Sequence, residues 1–282
     1  MTTISDVRPS PIAGTWYEGD PRRLGQQVDS YLQHADLPQL NGEVVAVIAP
    51  HAGHRYSGRT AGYAFRAVQG MRPDLVAVIS PMHGYHPAPL LTTAHLAYAT
   101  PLGQVPVDRE ALVELAKVLK ENAHLELTAL VHDGEHSLEI ELPFLQRALL
   151  SEFKLLPVMV RGQSEHVAHQ LGLGLTHVLQ DHKALMVAST DLSHFYPEAI
   201  ANELDSEMLR QIEAFSPEGV LSAEREETGF ACGAYAVAAV LWAAKELGAN
   251  AVQVLHHSTS ADETGDSSSV VGYGAAVVLK RS

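Results

Sequence analysis

The sequence predicts an α/β fold: one domain with a central, mostly parallel sheet flanked by helices. Three observations predict it. Short, continuously apolar and largely β-branched runs recur at residues 44–49, 75–80, 154–160 and 184–189, the pattern of strands buried on both faces. Helical patterns separate them, as in chains that build parallel sheets. No Pro/Gly/Ser-rich linker and no repeat of fixed period divides the 282 residues.

The elements follow in order. Residues 1–20 read as an extended arm with aromatic anchors at Trp16 and Tyr17. Asp20-Pro21 then opens a helix, Asp as N-cap and Pro at the first position, with Leu24, Val28 and Leu32 on one face. After the Asn41-Gly42 turn comes the strand 44–49, stopped by Pro50, which cannot donate to a ladder. His51 follows at once, then a helix with Ala61, Ala64, Phe65 and Val68 inward. The strand 75–80 ends in the same way, in Pro81-Met82-His83. Residues 88–105 read as short edge strands or a hairpin, and Asp108 caps an amphipathic helix to about residue 120. Ser137 or His136 opens a helix running toward residue 150. The strand 154–160 leads to a helix over 164–179. The strand 184–189 leads to Thr190-Asp191-Leu192-Ser193-His194. Helices are expected near 197–214, 217–226 and 234–247, and two strands, 252–256 and 269–279, close the chain.

Bulk properties narrow the function classes. A hydrophobic fraction of 46% supports a substantial core, and no apolar stretch approaches the length of a membrane span. The N-terminus lacks a signal-peptide pattern, so a cytoplasmic location is expected. A single cysteine excludes an intramolecular disulfide framework. The net charge of -14 argues against a nucleic-acid or membrane partner.

His51, His83 and His194 each follow a buried run within a few residues, at the carboxyl ends where open α/β sheets bind ligands. Neighbouring strands lie about 5 Å apart, so adjacent strands would bring the three imidazoles together. Cys232 precedes an apolar helix between Ala231 and Gly233. A helix N-terminus favours the thiolate, the form that binds metal. A buried structural cysteine is the plainer alternative. Asp191, three residues before His194, is placed to orient an imidazole. Glu135 and His136 form another acid–imidazole pair, with helix capping as the competing role.

These residues, with Ala13-Gly14-Thr15-Trp16-Tyr17, Tyr56-Ser57-Gly58, Glu135-His136-Ser137-Leu138-Glu139 and Thr264-Gly265-Asp266, make the chain resemble the Memo family, whose bacterial members are called AmmeMemoRadiSam system protein B. The matching stretches span residues 8–275. The resemblance implies a fold similar to class III extradiol dioxygenases. It implies metal ligands at His51, His83 and Cys232, and proton handling by His194 with Asp191. The metal it implies is iron(II) first, with copper or zinc as alternatives. It also implies a functional link to an AMMECR-type protein and a radical SAM protein. His54 stands where the family usually has tyrosine, Met82 where a small polar residue is common, and Ala261 where glycine is usual. A thiolate in place of the dioxygenase carboxylate changes the donor set, so ring cleavage does not follow from the fold. Two readings result. One is a metal-dependent redox enzyme of unknown substrate. The other is a non-catalytic protein that binds a small molecule or peptide in the same pocket, as relatives described as binding phosphotyrosine peptides suggest. A thiol hydrolase built on Cys232 lacks a supporting nucleophile-elbow pattern.

Overall fold

The β-branched runs form strands that are almost wholly buried, and the rest of the chain wraps them. The computed structural model describes residues 6–162 and 164–282. In chain order it contains β1 (Val7–Arg8), α1 (Pro21–His34), β2 (Glu43–Ala49), α2 (His54–Arg66), β3 (Leu75–Pro81), β4 (Leu90–Thr93), β5 (Ala97–Thr100), β6 (Gly103–Pro106), α3 (Arg109–Ala123) and β7 (Leu127–Leu130). Then come α4 (Leu142–Ala148), β8 (Lys154–Val160), α5 (Glu165–Leu179), β9 (Ala184–Ser189), β10 (His194–Tyr196), α6 (Glu198–Glu213), α7 (Pro217–Arg225), α8 (Ala234–Glu246), β11 (Ala251–Thr259), α9 (Ala261–Thr264) and β12 (Val270–Lys280).

The large sheet runs β10-β12-β2-β9-β3-β8-β4-β7, with β11 also paired to β12. Its centre, β2-β9-β3-β8, is parallel, as the apolar runs require. The sheet as a whole is mixed. β12 adds antiparallel to β2, and β4 antiparallel to β8. β1, β5 and β6 form a separate small sheet. β9 is inserted between β2 and β3, with Ala188 level with both Ile48 and Ile79. The three strands that precede His51, His83 and Asp191–His194 are therefore immediate neighbours.

Local signals explain most boundaries. Asp20 and Asp108 accept backbone amides at the starts of α1 and α3. α8 is buried around nearly its whole circumference and packs on α5, α7 and β9. Its alanines let α5 approach closely, and a Cβ at Gly172 would sit 2.9 Å from Ala239 O. The expected helix from residue 136 is corrected. Residues 135–136 carry no regular structure, 137–138 form a turn, Glu139–Glu141 form one 3₁₀ turn, and α4 begins only at Leu142. The amides of His136 and Ser137 are taken by the Glu135 carboxylate, while His136 O already accepts from Ile140 N, so the helical start is spread over a turn and a 3₁₀ segment. Among the described residues no helix is long and apolar enough to cross a membrane.

Candidate metal centre

Pro50 ends β2, and His51 turns inward with 1% of its surface exposed. Asp191 Oδ1 accepts from His51 N at 2.7 Å and from Ala52 N at 3.2 Å, so the loop after β9 fixes the loop after β2. His51 Nδ1 lies 2.9 Å from Ser189 Oγ. That hydroxyl also contacts Ser137 O at 2.6 Å and Glu141 Oε1 at 2.7 Å.

Glu135 does the corresponding work for His83. Its Oε2 accepts from His83 N at 2.6 Å, and its Oε1 lies 2.9 Å from His83 Nδ1. The same Oε1 accepts from His136 N at 2.9 Å and Ser137 N at 3.0 Å, and His136 Nδ1 lies 3.2 Å away. Behind this loop is Arg8, 2% exposed. It donates to Asp133 Oδ1 at 2.6 Å, Glu139 Oε2 at 2.5 Å and Glu135 O at 2.7 Å.

The result is a cluster of three imidazoles, His51, His83 and His136, each offering a ligand atom within 4.8 Å of the others. With the Nδ1 atoms turned to Ser189 and Glu135, Nε2 is the nitrogen each ring has left for a metal. Cys232 Sγ lies 3.1 Å from His51 Nε2 and accepts from Asp191 N at 3.3 Å. Gly233 makes this approach feasible, since a Cβ there would collide with Ser189 O.

The cluster forms one wall of a cavity of about 610 Å³. Trp16, Tyr56, Phe195 and Tyr273 supply aromatic surface, and Asp191, His194 and Asp266 supply polar groups. No Lys or Arg lines it among the described residues. The convergence of His51, His83 and His194 expected from the three strand ends is therefore present. His136, read from sequence as a cap candidate, joins them. The signal for it was its position beside Glu135, whose carboxylate both histidines share.

Electrostatics divide the site. Burial penalises the Glu135 carboxylate, but the His83 hydrogen bond and charge outweigh it and hold Glu135 below the usual range. Burial also opposes protonation of His83, and Glu135 more than compensates, raising it. His136 is lowered to about 4, chiefly by burial. His51 is pushed well down by burial and then by the neighbouring His83 and His136, and burial lowers His194. Burial raises Asp191 to about 7. At Cys232 burial, then the Asp191 charge, pushes the thiol up, against the helix-end effect. The helix cap is Gly233, so Cys232 stands outside the first turn of α8, and its own amide donates to Asp191 O.

Comparison with known proteins matches this architecture to one family. The sequence profile of the Memo-like protein family matches residues 8–277. A MEMO1 family protein of Nitrosopumilus maritimus is 36% identical over 273 residues, covering 95% of this chain and 98% of the relative. MEMO1 family proteins of Methanopyrus kandleri and Pyrobaculum aerophilum are 32% and 31% identical, covering 97% and 95% of this chain and 99% and 98% of theirs. With a match of that extent and relatives of that identity, the chain belongs to the Memo-like family.

Proposed function

We propose that this chain is a metal-dependent redox enzyme that uses iron(II), with copper or zinc as the alternative metals. His51 and His83 would hold the ion, with Cys232 as the third donor that the family resemblance implies and His136 as the imidazole placed to join or replace it. The observation that carries this reading is the mutual approach of three imidazole ligand atoms to within 4.8 Å, with the opposite ring nitrogens on Glu135 and Ser189. Outer partners of this kind fix ring orientation at metal sites. Two or three imidazoles with one soft thiolate suit iron(II), copper or zinc.

When bound, the ion would supply redox or Lewis-acid chemistry at the cavity wall and would deprotonate a ligating thiol. The chain's own residues supply the rest. The aromatic surface of Trp16, Tyr56 and Tyr273 packs against a ligand and excludes water. His194 faces the cavity as a neutral imidazole able to take a proton. Asp191, raised to about 7, holds the His51 loop through its Oδ1 and is poised to store a proton.

Anaerobic purification followed by metal analysis and visible spectroscopy tests the reading. His51→Ala and His83→Ala should abolish metal binding. Cys232→Ser against His136→Ala decides the third donor: the true ligand's loss cuts affinity sharply while the other's does not. His194→Ala should keep the metal and lose the chemistry; complete metal loss there would show that His194 is itself a ligand. The non-catalytic alternative, a ligand- or peptide-binding protein using the same cavity, requires full ligand affinity without metal. With no Lys or Arg lining it among the described residues, the cavity is a poor fit to a phosphorylated peptide. The cytoplasmic location and the link to AMMECR-type and radical SAM proteins belong to the same proposal. Fractionation and co-purification test them.

A further inference from the structure

The histidine cluster has a second side. A smaller cavity of about 270 Å³ shares His83 with the large one and is also lined by Arg161, Glu224, Cys232 and Tyr235. Arg161 follows β8, Glu224 lies near the end of α7, and Tyr235 is in the first turn of α8. The volume falls below the roughly 300–1,000 Å³ of drug-sized ligand sites, so its occupant is small.

Two opposite charges face this space unmatched. Neither Arg161 nor Glu224 takes part in an ion pair among the described residues. Arg161 Nε is buried with no hydrogen-bond partner among the described residues, and the guanidinium lies over the Tyr85 ring, its carbon 6.0 Å from the centroid. Glu224 spends one oxygen, Oε2, on Ala231 N at 2.8 Å. Both side chains are partly buried, and a buried donor such as Arg161 Nε left without a partner is costly. A simple anion would satisfy the arginine and meet the glutamate's repulsion; a simple cation would do the reverse. A ligand carrying both signs satisfies both.

We propose that this smaller cavity binds a small zwitterion, a free α-amino acid, with its carboxylate on Arg161 and its ammonium on Glu224. Bound there it would lie against Cys232 and against His83, the residue that lines both cavities. Because Cys232 is the only cysteine in the chain, any alkylation is read at that one thiol.

The test uses the full chain stripped of metal with a chelator. The common α-amino acids are titrated calorimetrically. L-alanine is compared with its two half-ligands, propionate and ethylamine, and alkylation of Cys232 by iodoacetamide is followed by mass spectrometry. At least one amino acid should bind and slow alkylation. The zwitterion should bind about tenfold or more tighter than either half-ligand, the value of one lost charge contact of about 1.4 kcal/mol. Arg161→Gln and Glu224→Gln should each weaken binding by a similar factor. If Arg161→Gln unfolds the chain, Arg161→Lys keeps the charge and should bind measurably but less tightly. Binding of no amino acid would overturn the proposal. So would propionate matching alanine, or affinity indifferent to both variants. Metal content of the untreated protein, measured in parallel, keeps this answer separate from that on the metal centre.

Discussion

The two walls that hold the imidazoles are built on opposite principles. Beneath His83 and His136 lies an ionic frame. Arg8 bridges Asp133 and Glu139 and caps Glu135 O, Tyr17 donates to Glu139 Oε1 at 2.7 Å, and Glu135 collects four backbone and ring nitrogens. Beneath His51 burial shifts the ionisable groups toward their neutral forms. Glu141 is pushed well up, with Oε2 lacking a partner. Asp191 and Cys232 are raised, and the nearby His54 is lowered to about 4 with Nδ1 unpartnered. One wall fixes position with permanent charge; the other keeps groups whose protonation can change. A site that both orients a metal and moves protons needs each kind.

The sharpest way to break the comparison is to remove the central ion of the first wall. Arg8→Ala leaves the Glu139 carboxylate buried with no cation, and breaking a buried pair in this way costs about 3–5 kcal/mol. Urea unfolding at neutral pH should show a loss of that size. A loss under about 1 kcal/mol, the level of an exposed pair, would mean that the ionic frame is not what holds the wall.

The second wall should respond to pH instead. His54 is 1% exposed, with Nε2 3.3 Å from Ile140 O and no acceptor for a proton on Nδ1. Its folded pKa is depressed, so the unfolded chain binds the proton more readily. Its contribution is intact above about 6.5 and is lost as pH falls toward about 4. The penalty at the acid end is on the order of 3 kcal/mol. His54→Phe keeps a ring among Tyr17, Tyr31 and Phe144 and should abolish that part of the acid sensitivity. Identical stability–pH curves for wild type and variant would contradict the depressed pKa.

How much of this was legible beforehand depends on the range of the interactions. The parallel centre is readable because each run of 44–49, 75–80 and 184–189 carries its own burial signal, and the histidines sit two to five residues beyond. Arg8 was not readable as a frame residue, since its acceptors Asp133 and Glu139 are 125 and 131 positions away. His136 was misweighted for the same reason: local sequence offers helix capping, while the Glu135 carboxylate it shares with His83 is a tertiary fact. The thiol of Cys232 was read from a helix-end rule, and burial beside Asp191 overrides that rule.

Glu135→Gln probes the ionic wall at the point where it meets the imidazoles. The amide can still accept hydrogen bonds but no longer favours a charged or metal-bound His83 ring. If His83 is a ligand, metal affinity should fall about 10- to 100-fold, the usual cost of losing an outer partner, with the fold retained. Unchanged affinity would show that the carboxylate orients the loop alone.

The smallest effect concerns Trp16, the arm residue that touches both the ionic wall and the cavity. Its ring lies 4.1 Å from that of His136, centroid to centroid, and its carbonyl accepts from His54 N at 2.8 Å. The backbone bond survives any substitution, so Trp16→Leu isolates the ring. Aromatic contacts of this geometry contribute about 0.5–1.5 kcal/mol beyond simple burial. The ring is 38% exposed, which favours the lower half of that range. Trp16→Leu should therefore cost less than about 1 kcal/mol of stability, far below Arg8→Ala. Its second consequence follows from what the ring covers. It shields the His136 imidazole from solvent on the cavity side, and burial is the main reason that imidazole is lowered to about 4. Thinning the cover should raise the His136 pKa toward the ordinary value, visible in an NMR titration of the metal-free chain, while the pKa of His54 stays where it is. A His136 titration identical in wild type and Trp16→Leu would mean that the ionic wall alone sets that imidazole's state. The two walls would then be independent of the arm that touches both.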